Sequence, residues 1–417
     1  MCVNTRSSDL PAQWKCIKNR GMRPPVNALL LALLIASSHC APAQSIFRDE
    51  ELVTFYPTYG YLRGDHWIVP RLRFRVHEPR RALLETTAQA LRLKHTGNEV
   101  EKFKAHADGF FQDDQSAEKV TFKFDLDGES FQVLGSNGRP VETDGNGMAE
   151  GMITIPVAKA QALLNLQRAK DNWLTFTATS PEHSGAGRIQ LISPKGKSVI
   201  SDIDDTIKVT GIPQGKRTVV ENTFFKDFIP ATGMIAMYRE WKDKADSETV
   251  AFHYVSGGFW QLYKPLDEFL MSDKIGFPKG TFHMRLLPLK VTELPSLIRE
   301  HGVASITPEA RNDPDEQKPR AALNEEPGTY GHKVGRIREI MNDFPNRTFI
   351  LVGDSGEKDP EVYQKIKSEY GERVTRIIIR EPTKLKSRTE AHGMEVIHLT
   401  AEGAEILPSP APAAAVP

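Results

Sequence analysis

Asp202, Asp204 and Thr206 alternate through the run Asp202-Ile203-Asp204-Asp205-Thr206, where the apolar stretch Ser198-Val199-Ile200 ends. On an extended backbone, residues two apart project to the same side. Two carboxylates and a hydroxyl would therefore face one space, with one carboxylate to attack and a second to move protons. Open α/β sheets place their chemistry at the ends of strands. A D-x-D-x-T pattern alone is weak evidence, so its meaning depends on partners further along the chain.

Three further sites fit it. An apolar strand expected over residues 250–255 ends in Ser256-Gly257-Gly258, ahead of an aromatic-rich helical stretch. A hydroxyl and free backbone N–H groups at a helix start suit a phosphate; a plain turn is the alternative. A helix expected from His332 carries Lys333 in its first turn. The helix dipole disfavours a cation there, so Lys333 is expected to face an anion rather than lie solvated on the surface. A strand over 348–352 runs into Gly353-Asp354-Ser355-Gly356-Glu357-Lys358-Asp359. Asp354 either caps the next helix or offers a strand-end carboxylate to a hard cation such as magnesium. The order of the four sites, all at strand ends or helix starts, favours the chemical reading of the whole set.

The elements that must hold them divide the chain. A length of 417 residues suggests two or three domains. The formal net charge is zero and no stretch is strongly basic, so no nucleic-acid partner is expected. Residues 44–197 show short alternating segments such as Leu72-Arg73-Phe74-Arg75-Val76 and Val120-Thr121-Phe122-Lys123-Phe124, the mark of half-buried strands. Asp144-Gly145-Asn146-Gly147 reads as a hairpin turn, and 80–93 and 157–167 read as helices. This half is expected to be a β-sandwich-like domain. From 198 to 400 strands (250–255, 348–352, 376–379) alternate with helices (233–244, 259–271, 332–342, 360–370). That rhythm predicts an α/β domain with a parallel sheet covered on both faces. Residues 401–417, Pro/Ala-rich from Pro408, are expected to be a disordered tail.

Lys15, Lys18, Arg20 and Arg23 precede an apolar run over 28–36 and then Ala41-Pro42-Ala43. This is the layout of a secretory signal over 1–43, cleaved near Ala43, with a retained signal anchor as the alternative. The run is shorter than the ~20 residues a membrane span needs. Cys2, Cys16 and Cys40 all precede that point, so the mature chain is expected to have no disulfide or thiol chemistry. The expected location is secreted or periplasmic.

The order D-x-D-x-T, strand-end Ser, Lys, then G-D-x-x-x-x-D resembles the haloacid dehalogenase superfamily of phosphotransferases. Longer stretches narrow the resemblance: Val199-Ile200-Ser201-Asp202-Ile203-Asp204-Asp205-Thr206, Asn222-Thr223-Phe224-Phe225-Lys226, Tyr254-Val255-Ser256-Gly257 with Trp260-Gln261-Leu262-Tyr263, and 353–361. Over 198–382 the chain resembles the catalytic domain of the actin-patch-associated phosphatidate phosphatases. The resemblance implies a Rossmann-like, haloacid dehalogenase-type α/β domain. It also implies a magnesium-dependent phosphatase that converts phosphatidate to diacylglycerol. Asp202 would then be the nucleophile that forms an aspartyl-phosphate. Asp204 would protonate the leaving alkoxide and later deprotonate water, with its carboxyl pushed up by Asp202 beside it. Thr206 would hold the loop, while Ser256 and Lys333 would grip the phosphoryl oxygens. Magnesium would be bound by the Asp202 and Asp354 carboxylates and the Asp204 carbonyl. Asp359 would orient Lys333 or a metal-bound water.

Two features depart from the family: a long polar stretch over 286–331, and the export expected from the N-terminus. They keep open a soluble phosphomonoester substrate with the same mechanism. A non-catalytic secreted binding protein is a third reading, and the intact Asp202, Asp204, Lys333 and Asp354 stand against it. Phe224, Phe225 and Phe228, with Lys226 among them, suit peripheral contact with a lipid surface. The alternative is that these rings pack a flap against the core.

Overall fold

The computed structural model describes residues 51–243, 249–272, 274–286, 328–382, 391, 393–400 and 403–408. The expected signal over 1–43 and nearly all of 286–331 lie outside the described residues. The first sheet comprises β1 (Glu51–Phe55), β2 (Thr58–Arg63), β3 (His66–Pro79), β4 (Gln112–Asp114), β5 (Thr121–Phe124), β6 (Ser130–Gln132), β7 (Met148–Pro156), β8 (Trp173–Ala178), β9 (His183–Ser184) and β10 (Ala186–Ile192). They form one hydrogen-bonded network in the order β6-β5-β8-β10-β2-β3-β1-β9, with β4 and β7 also paired to β3. The 14-residue β3 is the pivot: its first residues pair with β2, its last with β1, and β7 runs antiparallel to much of it. Phe55, Phe74, Phe122, Phe124, Ile155 and Phe176 share one buried core. β5 and β7 are far apart in the strand order, so the sheet must curl over that core.

Helices α1 (Arg81–Leu91) and α3 (Val157–Leu166) fall where the periodicity places them, but α2 (Gly97–Ala107) was not expected. Its sequence is too charged for an apolar stripe to stand out. A capping box starts it instead: Glu99 N donates to Thr96 Oγ1 (3.3 Å) and Thr96 N donates to Glu99 Oε2 (2.8 Å).

The second sheet comprises β11 (Gly196–Ser201), β12 (Val250–Phe259), β13 (Thr281–Arg285), β14 (Arg347–Asp354), β15 (Val374–Arg380), β16 (Glu395–Thr400) and β17 (Gly403–Pro408). The order is β13-β12-β11-β14-β15-β16-β17, parallel except for the final hairpin. Its helices are α4 (Lys216–Val220), α5 (Met234–Asp243), α6 (Tyr263–Met271), α7 (Gly328–Asp343) and α8 (Asp359–Tyr370). Alternation along the strands feeds two layers. Val199, Phe252, Tyr254, Ile350 and Val352 pack with Met234 and Tyr238 of α5 and Leu266 and Leu270 of α6. Ile200, Ala251, Phe349 and Leu351 pack with Ile337 and Ile340 of α7 and Val362 and Ile366 of α8. Strands covered on both faces must be apolar on both, which is why these read as continuous apolar runs. The result is an α/β sheet with helices on each side.

β17 corrects the expectation of a tail from residue 401. The edge of β16 offers unpaired backbone groups, and Gly403–Pro408 takes them in antiparallel register; residues 409–417 lie outside the described residues. At the opposite end of the strands, buried Arg347 ties neighbours together, donating to Ser198 Oγ (2.9 Å) and to the carbonyls of Ser193 (2.8 Å), Lys195 (2.7 Å) and Thr249 (2.8 Å). Gly196 makes room for it at φ 123°, since a Cβ there would lie 2.5 Å from Thr249 O. The two sheets also meet directly. Tyr56 packs on Trp260 with ring centroids 4.1 Å apart, and Tyr59 Oη donates to Asp343 Oδ2 (2.7 Å).

Candidate active site

Ser201 stands in register with Tyr254 on β12 and Val352 on β14. The residues just beyond, Asp202, Ser256 and Asp354, therefore emerge together at the C-terminal edge of the second sheet, and all three are buried. After β11 the chain turns sharply. Asp205 takes a left-handed conformation (φ 54°), which Asp tolerates better than most residues. Its carboxylate accepts the backbone N–H groups of Thr210 (2.9 Å), Gly211 (2.8 Å) and Ile212 (2.6 Å). With the loop held this way, Thr206 Oγ1 donates to Asp202 Oδ2 (2.9 Å).

Lys333 faces three carboxylates: Asp202 Oδ1 at 2.8 Å, Asp359 Oδ1 at 2.5 Å and Glu357 Oε2 at 3.2 Å. Asp359 also accepts Asp354 N through Oδ2 (3.2 Å), which fixes the loop between β14 and α8. Only glycine fits at position 353, since a Cβ there would lie 2.4 Å from Asp359 Oδ2. α7 begins at Gly328 rather than near His332, which places Lys333 in the second turn. The dipole argument from the sequence therefore does not apply. Lys333 is placed by the buried face of α7, which it shares with His332, Val334, Arg336 and Ile337.

Charge is unbalanced here. Burial pushes the Asp202 carboxyl well above its ordinary range; the Lys333 ammonium opposes this, but Asp359, Glu357 and Asp204 reinforce it. Asp354 is raised in the same way by burial, then by Asp359, Asp202 and Glu357. Burial and Asp359 raise Glu357 against Lys333. Lys333 is held well above its usual range: burial works against its charge, but Asp202, Asp359 and Glu357 prevail. Four acids thus crowd around one ammonium that contacts three of them, and the buried Asp354 Oδ2 has no hydrogen-bond partner. Oxygens of Asp202, Asp354 and Glu357 lie within 4.8 Å of one another. An all-oxygen set with excess negative charge fits a hard cation. Glu357 is absent from the sequence-derived set. Its one sequence signal was its place inside the loop between Gly353 and Asp359.

Asp204 has different surroundings. Its Oδ1 lies 2.8 Å from Lys208 Nζ and accepts Thr210 Oγ1 (2.6 Å), while Oδ2 lies 3.4 Å from Ser256 Oγ. Burial raises this carboxyl, but the Lys208 charge and the hydrogen bonds from Lys208 and Thr210 outweigh it, so the net shift is downward. This corrects the expectation that Asp202 pushes Asp204 up. Lys208 escaped the sequence reading because Ile207 and Val209 flank it like a strand. Continuing the alternation Asp202, Asp204, Thr206 through Lys208 and Thr210 would have found both.

Ser256 also sits differently from expectation. It lies within β12, which continues to Phe259, and a 3-10 turn at Trp260–Leu262 separates it from α6. The β12–β13 register breaks between Val255 and Phe259, and in that irregularity Gly258 N turns to donate to Ser256 Oγ (2.9 Å). A Cβ on Gly258 would lie 3.1 Å from Ser256 Oγ and 3.5 Å from Asp204 Oδ2, so the glycine keeps a cradle open beside both.

Phe224 and Phe225 do not face outward. They are buried at the end of the short π-helical segment Glu221–Phe225. Phe225 packs on His95 (4.1 Å between ring centroids) and Phe103 (5.6 Å), and Phe224 packs on Phe110 (5.8 Å). The apolar face of α2, the helix missing from the sequence reading, supplies part of this packing. Phe228 is half-buried against Phe269 (5.8 Å). The lipid contact expected of these rings is thus corrected in favour of flap packing. The exposed apolar residue of this segment is Ile229, 56% exposed. In the first sheet, His183 Nε2 on β9 lies 3.0 Å from a Glu51 carboxylate oxygen on β1 and 3.5 Å from one of Glu118.

Residues 197–317 and 317–381 match the family profile described as phosphatidate phosphatase APP1, catalytic domain. The Saccharomyces cerevisiae phosphatidate phosphatase APP1 is 29% identical over 212 residues, 50% of this chain and 30% of that protein. An uncharacterized protein of Schizosaccharomyces pombe is 25% identical over 193 residues, 46% of this chain and 26% of its own length. The chain therefore spans less than a third of either of these relatives. A solved carbohydrate esterase structure aligns over 78% of this chain and 88% of its own at 9% identity, with a TM-score of 0.20 that is too low to bear on the fold. Over residues 197–381 the chain is thus similar to the catalytic domain of the APP1 phosphatidate phosphatases.

Proposed function

We propose that the protein is a phosphatase of the haloacid dehalogenase type, with a Rossmann-like catalytic domain, that removes phosphate from phosphatidate and leaves diacylglycerol. One observation carries the reading. Asp202, clamped by Lys333 and Thr206 and set beside Asp354 and Glu357, lies at a strand end within the segment that matches the APP1 catalytic domain.

In the proposed reaction an Asp202 carboxylate oxygen attacks phosphorus. A new O–P bond forms as the ester P–O bond breaks, giving an aspartyl-phosphate. Asp204 gives its proton to the departing alkoxide. A water then attacks the same phosphorus and loses its proton to Asp204, which releases inorganic phosphate and restores Asp202. Asp204 must be protonated to begin. A phosphate docked against Ser256 brings negative charge next to Asp204 Oδ2, which favours the acid form and counters the pull of Lys208. Lys333 and Ser256 hold the phosphoryl oxygens as charge shifts onto them, and Asp359 keeps Lys333 aimed. Magnesium, held by Asp202 and Asp354 with Glu357 in reach and the Asp204 carbonyl beside it, would supply positive charge that offsets carboxylate–phosphate repulsion. Exposed Ile229, with the exposed Lys226 nearby, is the contact we assign to a lipid surface.

Phosphate release from phosphatidate vesicles, compared with release from a water-soluble phosphomonoester, tests the reading with and without a chelator. Release from vesicles that stops on chelation and returns with magnesium is expected. Release from the soluble ester alone would replace phosphatidate as substrate, and full activity after exhaustive chelation would remove the metal. Release from neither ester would overturn the phosphatase assignment.

A further inference from the structure

Lys208 is buried, 2% exposed, between the apolar residues Ile207 and Val209. An ammonium taken out of water persists only where its N–H groups are satisfied, and each direction here is occupied. Nζ lies 2.8 Å from Asp204 Oδ1, donates to Thr210 Oγ1 (2.5 Å) and sits 4.8 Å from the centre of the Phe228 ring. Thr210 Oγ1 in turn donates to Asp204 Oδ1 (2.6 Å). Asp204 is therefore held asymmetrically. Oδ1 is engaged twice, whereas Oδ2 has Ser256 Oγ at 3.4 Å and faces the cradle that a side chain at Gly258 would fill.

The backbone around Lys208 adds a second link. Val209 N donates to Ile229 O (2.8 Å) and Ala231 N donates to Ile207 O (2.8 Å), which closes residues 207–209 and 229–231 into a short antiparallel ribbon. Phe228, at the start of that ribbon, packs over the ammonium. One side chain thus touches both the Asp204 carboxylate and the ring of Phe228.

Resting on the phosphatase reading above, we propose that Lys208 is a positioning residue: it pins Asp204 through Oδ1 so that Oδ2 is the oxygen presented to the substrate's leaving group. Lys208 touches neither substrate nor reacting atoms. Its contribution is orientation, and orientation of a proton donor matters most when the leaving group is a poor one.

Lys208→Met tests this, because methionine is unbranched, apolar and able to fill the same space under Phe228. The readout is kcat/KM, which reports phosphoryl transfer to Asp202 and not the later hydrolysis in which Asp204 acts as base, on an alkyl phosphate, dioctanoyl phosphatidate, against para-nitrophenyl phosphate, whose leaving group needs little protonation. A correctly placed general acid contributes on the order of a hundredfold or more. The alkyl ester should therefore lose about a hundredfold in kcat/KM and the aryl ester no more than about threefold. Thr210→Val removes the second hold on Oδ1 and should show the same split, smaller in size; it decides the matter if Lys208→Met does not fold. Equal losses on the two esters would overturn the positioning role while leaving the phosphatase reading intact. Wild-type protein inactive on both esters would overturn that reading and the role of Lys208 with it.

Discussion

Lys333 Nζ stands 2.8 Å from Asp202 Oδ1 with both side chains almost wholly excluded from water. The same ammonium also serves Asp359 and Glu357, so its removal would leave three carboxylates facing one another without a counter-charge. Breaking a buried pair from one side costs about 3–5 kcal/mol. Lys333→Met should therefore lower the urea midpoint strongly as well as stop turnover. Adding Asp359→Asn to that variant should recover part of the lost stability, since one unpaired charge is then gone. A Lys333→Met protein as stable as wild type would contradict the ion-pair assignment.

The packing of Phe224 and Phe225 against α2 separates structural rings from lipid contacts. Phe224→Ser should destabilise the protein by about 3–5 kcal/mol, the cost typical of removing a buried phenylalanine. It should depress turnover of vesicle-bound and soluble substrates together. Ile229→Ser should leave the melting temperature within a few degrees of wild type and weaken vesicle binding alone. Vesicle binding that survives Ile229→Ser would move the lipid contact to another surface.

Much of this site was legible in the sequence because parallel sheets are simple to read. A buried strand shows as an apolar run, and the residues after it lie at the sheet's C-terminal edge, so Asp202, Ser256 and Asp354 could be grouped before any contact was known. Lys333 and Asp359 were also found, although the geometry that brings Lys333 in is a helix face rather than a first turn. Glu357 and Lys208 were missed for one physical reason: each owes its position to a loop whose path is set by tertiary hydrogen bonds. The three N–H groups on Asp205 set the loop that carries Lys208, and Gly356 N on Asp354 Oδ1 (2.6 Å) sets the other. α2 was missed because its helix is stabilised by a cap and by packing of Val100 and Phe103 rather than by a visible apolar stripe. Without α2, nothing in the sequence showed which residues would cover Phe224.

Three histidines near the second sheet predict acid sensitivity. Burial, with the Arg347 charge, holds His253 down at about 3. Burial holds His283 well below its ordinary value, helped by His253 and by Arg71, Arg336 and Arg73. His332 is likewise depressed by burial and Arg336. Each is neutral when folded, so below an unfolded value of about 6.5 the unfolded chain binds protons that the folded chain does not. Stability is thus unaffected by these groups above that pH and falls as pH drops from it towards their folded values, by about 1.4 kcal/mol per unit for each histidine. Urea unfolding at pH 7 and pH 5 should show the loss, and His253→Gln should reduce its slope by about one proton. An unchanged slope in that variant would mean that His253 is already protonated in the fold.

Phosphate release by Asp202→Asn with magnesium present probes the nucleophile itself, on which every other catalytic role here depends. The amide is nearly isosteric but cannot attack phosphorus, so the variant should fold as wild type does and lose turnover by about a thousandfold or more, in the range seen when a nucleophile is removed. Retention of activity within about tenfold of wild type, a barrier change of only about 1.4 kcal/mol, would contradict Asp202 as the nucleophile and the mechanism built on it.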